Sequence, residues 1–156
     1  DYYEDIASSE YLASYHGVKA SPVPYFDIDK EFKVQQAIKG LIQEELVNAV
    51  HDCSDGGLYV SLVEMSLPRE LGFDIVTDSE LRVDAFLFGE GQGRVIVTLP
   101  EDKEERFIEF MIETGVNITL LGHVTKGKFQ VDEEPFGNVL EAKNIYDSSL
   151  CNLIEN

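Results

Sequence analysis

The sequence predicts an α+β fold, and three observations carry that prediction. Apolar residues recur at three- and four-residue spacings through 28–47, the signature of a helix that buries one face. Short β-branched runs, GFDIVT and RVIVTL among them, stand between glycines, prolines and acids as strands do. Strands and helices nevertheless follow one another without regular βαβ alternation, which argues against a doubly wound parallel sheet.

Taken in order, Tyr11, Leu12 and Tyr15 form a short apolar pattern after Ser8-Ser9, so either serine can cap a brief helix ending near Gly17. VKASPVPYFDIDKE holds two prolines and runs extended before Asp27 or Asp29 caps the next helix. That helix places Phe32, Ala37, Ile38, Leu41, Ile42 and Leu46 on its core side and runs to about Val47. LVNAVHD reads as a buried strand entering a sharp turn, and GLYVSLVEMSL as a helix apolar on most sides and therefore well buried. GFDIVT is a strand, RVDAFLFGEGQG a short helical or irregular connector, and RVIVTL a second strong strand. PEDKEERFIEFMIETG has Pro100 at its first turn, acids at the positive end of the helix dipole, Phe107, Phe110 and Met111 inward, and Gly115 as its stop. NITLLGHV and KGKFQV read as strands joined by a Lys-Gly turn, and VLEAKNIYDSSLCNLIE as a closing helix. No repeat or linker divides these elements, so residues 1–156 are expected to form one domain.

Composition bounds the function. Hydrophobic content of 44% and charged content of 27% are those of a globular chain, and no apolar run approaches the ~20 residues of a membrane span. Twelve Lys plus Arg stand against 30 Asp plus Glu, a formal charge of −18, so nucleic acid and anionic membranes are unsuitable partners. Cys53 and Cys151 are far apart with no CxxC pair, which points to a reducing, cytoplasmic setting. The start, DYYEDIASSEY, has no signal-peptide character and no Met, and reads as the start of a piece of a longer chain.

The chemistry concentrates in VHDCSDGGLYV. A strand ending at HDCS and a helix beginning at Gly56-Gly57 leave backbone N–H groups unpaired, and the missing Cβ atoms let an anion approach them. The plainer alternative is that two glycines merely make the turn. Asp55 is placed to cap the helix, and Asp52 is a weak candidate for holding magnesium beside a phosphate. His51 has a titration range suited to acid/base work, although a histidine at the end of a strand also serves as a plain structural residue. His16 and His123 lack partners at metal-ligand spacing. In FGEGQGR, Gly89, Gly91 and Gly93 precede a strand and do not open a helix, which rejects a dinucleotide fingerprint; Glu90 and Arg94 can meet across the turn. In SSEY, Glu10 and Tyr11 offer an acid and a hydroxyl, or only a helix start.

In order and spacing, SSEYL, HDCSDGGLYVSLVEMSL and LFGEGQGRVIVTL resemble the last domain of the phosphoribosylformylglycinamidine synthase family. That family's first block reads GGSEYL and its third ESQSR; here Ala7-Ser8 replaces the glycine pair, and Gly91 and Gly93 replace serines. The resemblance implies a layered domain like the C-terminal domain of aminoimidazole ribonucleotide synthase, a mixed sheet with helices packed on it. It implies a reaction converting formylglycinamide ribonucleotide to the amidine with ATP, magnesium and ammonia from glutamine, the ATP-binding domains lying upstream. Ser54, Gly56 and Gly57 would then help hold the ribose phosphate, with Asp52, Asp55, Glu90 and Arg94 in support. A separate glutaminase subunit is expected if Asn156 is the natural terminus, and the isolated chain is expected to bind no cofactor and to be inactive. The competing implication is a non-catalytic phosphate-binding or assembly domain in a sister of that superfamily, of the thiamine-monophosphate kinase, selenophosphate synthetase or hydrogenase-maturation type.

Overall fold

The computed structural model describes residues 6–77 and 80–154; the expectations that touch residues 1–5 and Glu155 lie outside them. It is an α+β structure of two units, one from the described residues of Asp1–Ser61 with Asp84–Leu120, the other from those of Leu62–Val83 with Leu121–Asn156.

In the first unit, Asp27 adopts an extended backbone and its carboxylate accepts the N–H groups of Asp29 and Lys30, each at 3.1 Å. Helix α1 (Ile28–Gln43) therefore starts at the first of the two predicted caps. It stops four residues short of Val47 because Glu45 turns left-handed, with φ 55°. The Leu46 N–H then reaches back to the Leu41 carbonyl and that of Glu45 to Ile42, a Schellman closure built on Glu where glycine is usual. Leu46 thus enters the core from beyond the helix, joining Ala37, Leu41, Phe107 and Met111. Two expected core residues fall elsewhere: Phe32 is 60% exposed and Ile42 54% exposed, because the buried face of α1 is the narrower stripe through Ala37 and Leu41.

The partner of that stripe is α4 (Glu104–Thr114), entered by a 3-10 turn after Pro100 and closed by left-handed Gly115, as predicted. Phe110 lies half-buried over Gly40, where an added Cβ would stand 2.4 Å from its ring. Strand β1 (Ala49–Asp52) pairs antiparallel with β3 (Val95–Thr98), His51 opposite Ile96. β1 is half-buried with exposed ends, not the buried strand that its composition predicts. Helix α2 (Gly57–Ser66) begins in this unit and continues into the other; it is as buried as predicted, and its hydroxyls Ser61 and Ser66 donate to the carbonyls of Gly57 and Leu62 one turn back. The connector contains a short helix, α3 (Val83–Phe88), with Ala85, Phe86 and Leu87 buried.

The second unit is a mixed sheet in the order β4-β2-β5-β6, from β2 (Gly72–Ile75), β4 (Gly122–Thr125), β5 (Lys128–Val131) and β6 (Glu134–Asn138). β2 pairs antiparallel with β4 and parallel with β5. The Lys126-Gly127 turn therefore does not close a hairpin: it carries the chain across the start of β2, and the Thr125 hydroxyl donates to the Lys128 carbonyl at 3.0 Å to hold the crossing. β6 has no counterpart among the predicted strands. It contains Pro135, tolerated because β6 is an edge, and it is reached through Asp132 and Glu133, both left-handed in a tight turn. Phe73 and Phe129 stack with ring centroids 4.7 Å apart in the core beside Ile75, Val131 and Val139. Helix α5 (Val139–Ile154) buries Val139 at its start, and from Asn144 onward its residues are exposed.

Candidate functional site

Within the first unit the three motif segments meet, and Glu90 joins them. Its Oε1 accepts the Gly56 N–H at 2.8 Å and the Glu10 N–H at 2.7 Å. Tyr11 stacks on Phe88 with centroids 4.7 Å apart, and Tyr59 meets the same ring edge-on at 5.9 Å. Glu10 leads into a π-helical turn, Tyr11–Tyr15. Of the two serines proposed as its cap, Ser9 takes the role: buried, its hydroxyl donates to the Ile6 carbonyl and accepts the Leu12 N–H.

Gly56 and Gly57 are both left-handed, with φ 85° and 67°. A Cβ on Gly56 would lie 2.5 Å from Val60 Cγ2. One on Gly57 would lie 2.8 Å from the Gly89 carbonyl oxygen and 2.9 Å from that of Leu87, so Gly57 lets the end of α3 approach the loop backbone to backbone. The Gly57 N–H is donated to the Ser54 carbonyl at 3.0 Å. Arg94 secures the other side of that approach, donating from its two terminal nitrogens to the carbonyls of Gly89 at 2.7 Å and Phe86 at 2.9 Å. A guanidinium at the negative end of a short helix is favourably placed. The strand entry thus rests on backbone contacts of Glu90 and Arg94 where the sequence suggested a bridge between the two.

A depression opens beside this junction, with Glu31, Asp52, Cys53, Ser54, Asp55, Glu90 and Arg94 among its lining residues. Its charged lining is four carboxylates against one cation, Arg94. The Ser54 hydroxyl donates to Asp52 Oδ2 at 2.9 Å, and this bond, helped by His51 at 3.7 Å, holds the Asp52 carboxyl below its usual range. His51 itself sits half-buried on β1 and is not among the lining residues. Asp55 is exposed at the lip, and the donor just ahead of α2 is met by Glu90 from 34 residues on. Among the described residues no three His, Cys, Asp or Glu side chains come together, so Asp52 has no ready-made cluster of protein ligands around it there. His16 packs against Tyr11 and Tyr15 at 5.0 Å, and His123 lies on β4. The aromatic anchor Phe88 went unsignalled in the sequence, since only folding brings Tyr11 and Tyr59 to it.

Burial raises the Cys53 thiol pKa, so little thiolate forms at neutral pH. With iodoacetamide at pH 8, the exposed Cys151 should react at least tenfold faster than the half-buried Cys53. Equal rates for both thiols, read by peptide mass mapping, would contradict the packing around Cys53.

The model of the family described as AIR synthase related protein, C-terminal domain, matches residues 4–133. The chain is 37% identical over 120 residues to the phosphoribosylformylglycinamidine synthase subunit PurL of Moorella thermoacetica, covering 77% of this chain and 16% of that protein. It is 40% identical over 131 residues to the subunit of the same name from Salinibacter ruber, covering 81% of this chain and 17% of that protein. The chain thus spans about one-sixth of the length of these relatives. Among solved structures, T. maritima PurL complexed with FGAR superimposes with a TM-score of 0.67 at 19% identity, over 82% of this chain and 23% of that one. A HypE–HypF complex does so with a TM-score of 0.53 at 18% identity, over 87% of this chain and 49% of that one. At these identities the superpositions show a shared fold.

Proposed function

The chain belongs to the family of AIR synthase related proteins, C-terminal domain, and from that membership we propose that it is the last domain of a phosphoribosylformylglycinamidine synthase. The whole protein would convert formylglycinamide ribonucleotide to formylglycinamidine ribonucleotide with ATP and ammonia from glutamine, in purine biosynthesis. One observation supports this reading above the others: the three segments that carry the family's motifs, far apart in sequence, converge on one carboxylate oxygen. The family match runs through both units, which supports treating residues 1–156 as one domain. The sister-enzyme alternative is not favoured, since the relatives named above are synthase subunits.

In this reading the loop of Ser54, Gly56 and Gly57 faces the ribose phosphate, with Asp52, Asp55, Glu90 and Arg94 shaping the wall around it. ATP and magnesium are assigned to upstream domains of a longer polypeptide, as the family resemblance implies, this chain spanning about one-sixth of the length of its relatives. A glutaminase, fused or separate, would supply the ammonia, and the compartment would be the cytoplasm. No described helix is long and apolar enough to cross a membrane.

Ser54→Ala tests the assignment in the longer polypeptide that carries this chain. Ser54 is exposed and its hydroxyl bonds only a neighbouring exposed carboxylate in the described contacts, so its loss leaves the fold intact. A hydrogen bond to a charged group contributes about 1.5–3 kcal/mol, so KM for the ribonucleotide should rise roughly tenfold or more while KM for ATP stays unchanged. An unchanged ribonucleotide KM would remove Ser54 from the phosphate site, and turnover of ATP without the ribonucleotide would overturn the reaction.

A further inference from the structure

A phosphate can be held at the glycine pair only by N–H groups that are free to turn to it, and here both are taken. The Gly57 N–H is committed to the Ser54 carbonyl, inside the turn that starts α2. The Gly56 N–H is held by Glu90 Oε1, the oxygen that also accepts the Glu10 N–H. One negatively charged oxygen gathering two backbone donors is the arrangement a phosphate oxygen would make in the same place. A phosphate dianion cannot simply be added beside that carboxylate, because Glu31, Asp52 and Asp55 already line the same depression.

We propose that Glu90 is a displaceable internal anion: its carboxylate fills the anion seat at Gly56, and a phosphate-bearing ligand enters by exchanging with it. This rests on the reading that the glycine loop takes the ribose phosphate. The exchange has a second end. When Glu90 leaves Gly56 it also leaves the Glu10 N–H, and Glu10 leads into the π-helical turn whose Tyr11 stacks on Phe88, two residues before Glu90. A π-helical turn is a poorly self-sustaining piece of backbone, so an outside acceptor matters at its start. Occupancy of the loop is thereby reported to the Ser9–His16 stretch through one oxygen atom, and the seat does not stand open to stray anions when the ribonucleotide is absent.

The test is an amide NMR titration of the isotopically labelled 156-residue chain with ribose 5-phosphate, alongside the variant Glu90→Gln. Glutamine keeps an oxygen able to accept both N–H groups but lacks the charge, so it holds the segments together as a weaker occupant. In the wild-type chain the amide signals of Gly56 and Glu10 should move together and saturate at one ligand concentration. E90Q should bind ribose 5-phosphate at least tenfold more tightly. Equal affinity in the two proteins, or saturable movement of Gly56 with Glu10 unmoved, overturns the exchange while leaving the phosphate reading in place. Failure of both proteins to bind ribose 5-phosphate overturns the phosphate reading itself, and the exchange with it. Should E90Q fail to fold, joint movement of the two wild-type amides supports the exchange and separate movement overturns it.

Discussion

Gly57→Val should strongly destabilise the unit that carries the glycine loop. Two costs add at this position. Its backbone is left-handed at φ 67°, which costs an L-residue roughly 1–2 kcal/mol and a β-branched one the most. The new Cβ also stands 2.8–2.9 Å from backbone atoms of Leu87, Phe88 and Gly89, which are fixed by α3 and by the Arg94 guanidinium, so no flexible side chain can move aside. Overpacking of this kind adds typically about 1–3 kcal/mol. The sum, roughly 2–5 kcal/mol, is a large part of the ~5–15 kcal/mol that holds a domain folded. Gly57→Ala, which carries the same Cβ, should lose most of that amount in a urea melt followed by circular dichroism. An alanine variant within ~0.5 kcal/mol of the parent would show that the backbone approach at 87–89 is not fixed. The consequence for the site is direct: a substitution here reports on the fold before it reports on any anion, and Ser54 and Glu90 are the positions at which binding can be read.

Gly72→Ala should be at least as damaging, for a different reason. Gly72 has no left-handed angle to protect; what it provides is space. A Cβ would lie 2.1 Å from the Lys128 carbonyl oxygen and 2.5 Å from the Lys128 nitrogen, where the chain crosses the start of β2. Gly127, one residue before Lys128, is the matched control. It is left-handed at φ 79°, but a Cβ there meets nothing nearer than Val139 Cγ1 at 3.4 Å. If conformational freedom decided the cost of losing a glycine, Gly127→Ala would be the worse change. The crossing predicts the reverse: about 1 kcal/mol at Gly127, and roughly 3 kcal/mol or more at Gly72 with loss of the β2–β5 ladder. Unfolding midpoints of the two variants, with amide exchange at Phe129 and Val131, decide between these orders.

Much of the architecture was legible because its signals are local. Asp27 caps α1, Pro100 and Gly115 bracket α4, and the apolar run after Gly57 makes a buried helix, all within a few residues of the groups concerned. What was missed depends on non-local contacts or on unusual residues in usual roles. The end of α1 is set by left-handed Glu45, which carries none of the glycine signal such a position normally shows. β6 hides behind Pro135 and a turn made of Asp132 and Glu133. For the site, the three motif segments stood out by their residues, but that Glu90 ties them together did not, since its partners lie 34 and 80 positions away. The suggested Glu90–Arg94 bridge was the natural local guess, and the fold satisfies both side chains with backbone groups.

The crossing at Lys126-Gly127 also sets an order of assembly. β5 and β6 are adjacent in sequence and joined by a tight turn, so they can close on each other within microseconds as an isolated hairpin does. β4 and β5 are equally close in the chain but cannot pair, because β2 must lie between them, and Phe73 meets Phe129 only by closing a loop of more than fifty residues. That closure carries a larger entropic barrier than any local step, and it raises the mean sequence separation of the contacts in this unit. The second unit is therefore expected to assemble by docking β2 onto the β5–β6 hairpin, with β4 pairing onto the far edge of β2, and a variant that weakens β2 should slow the whole sheet.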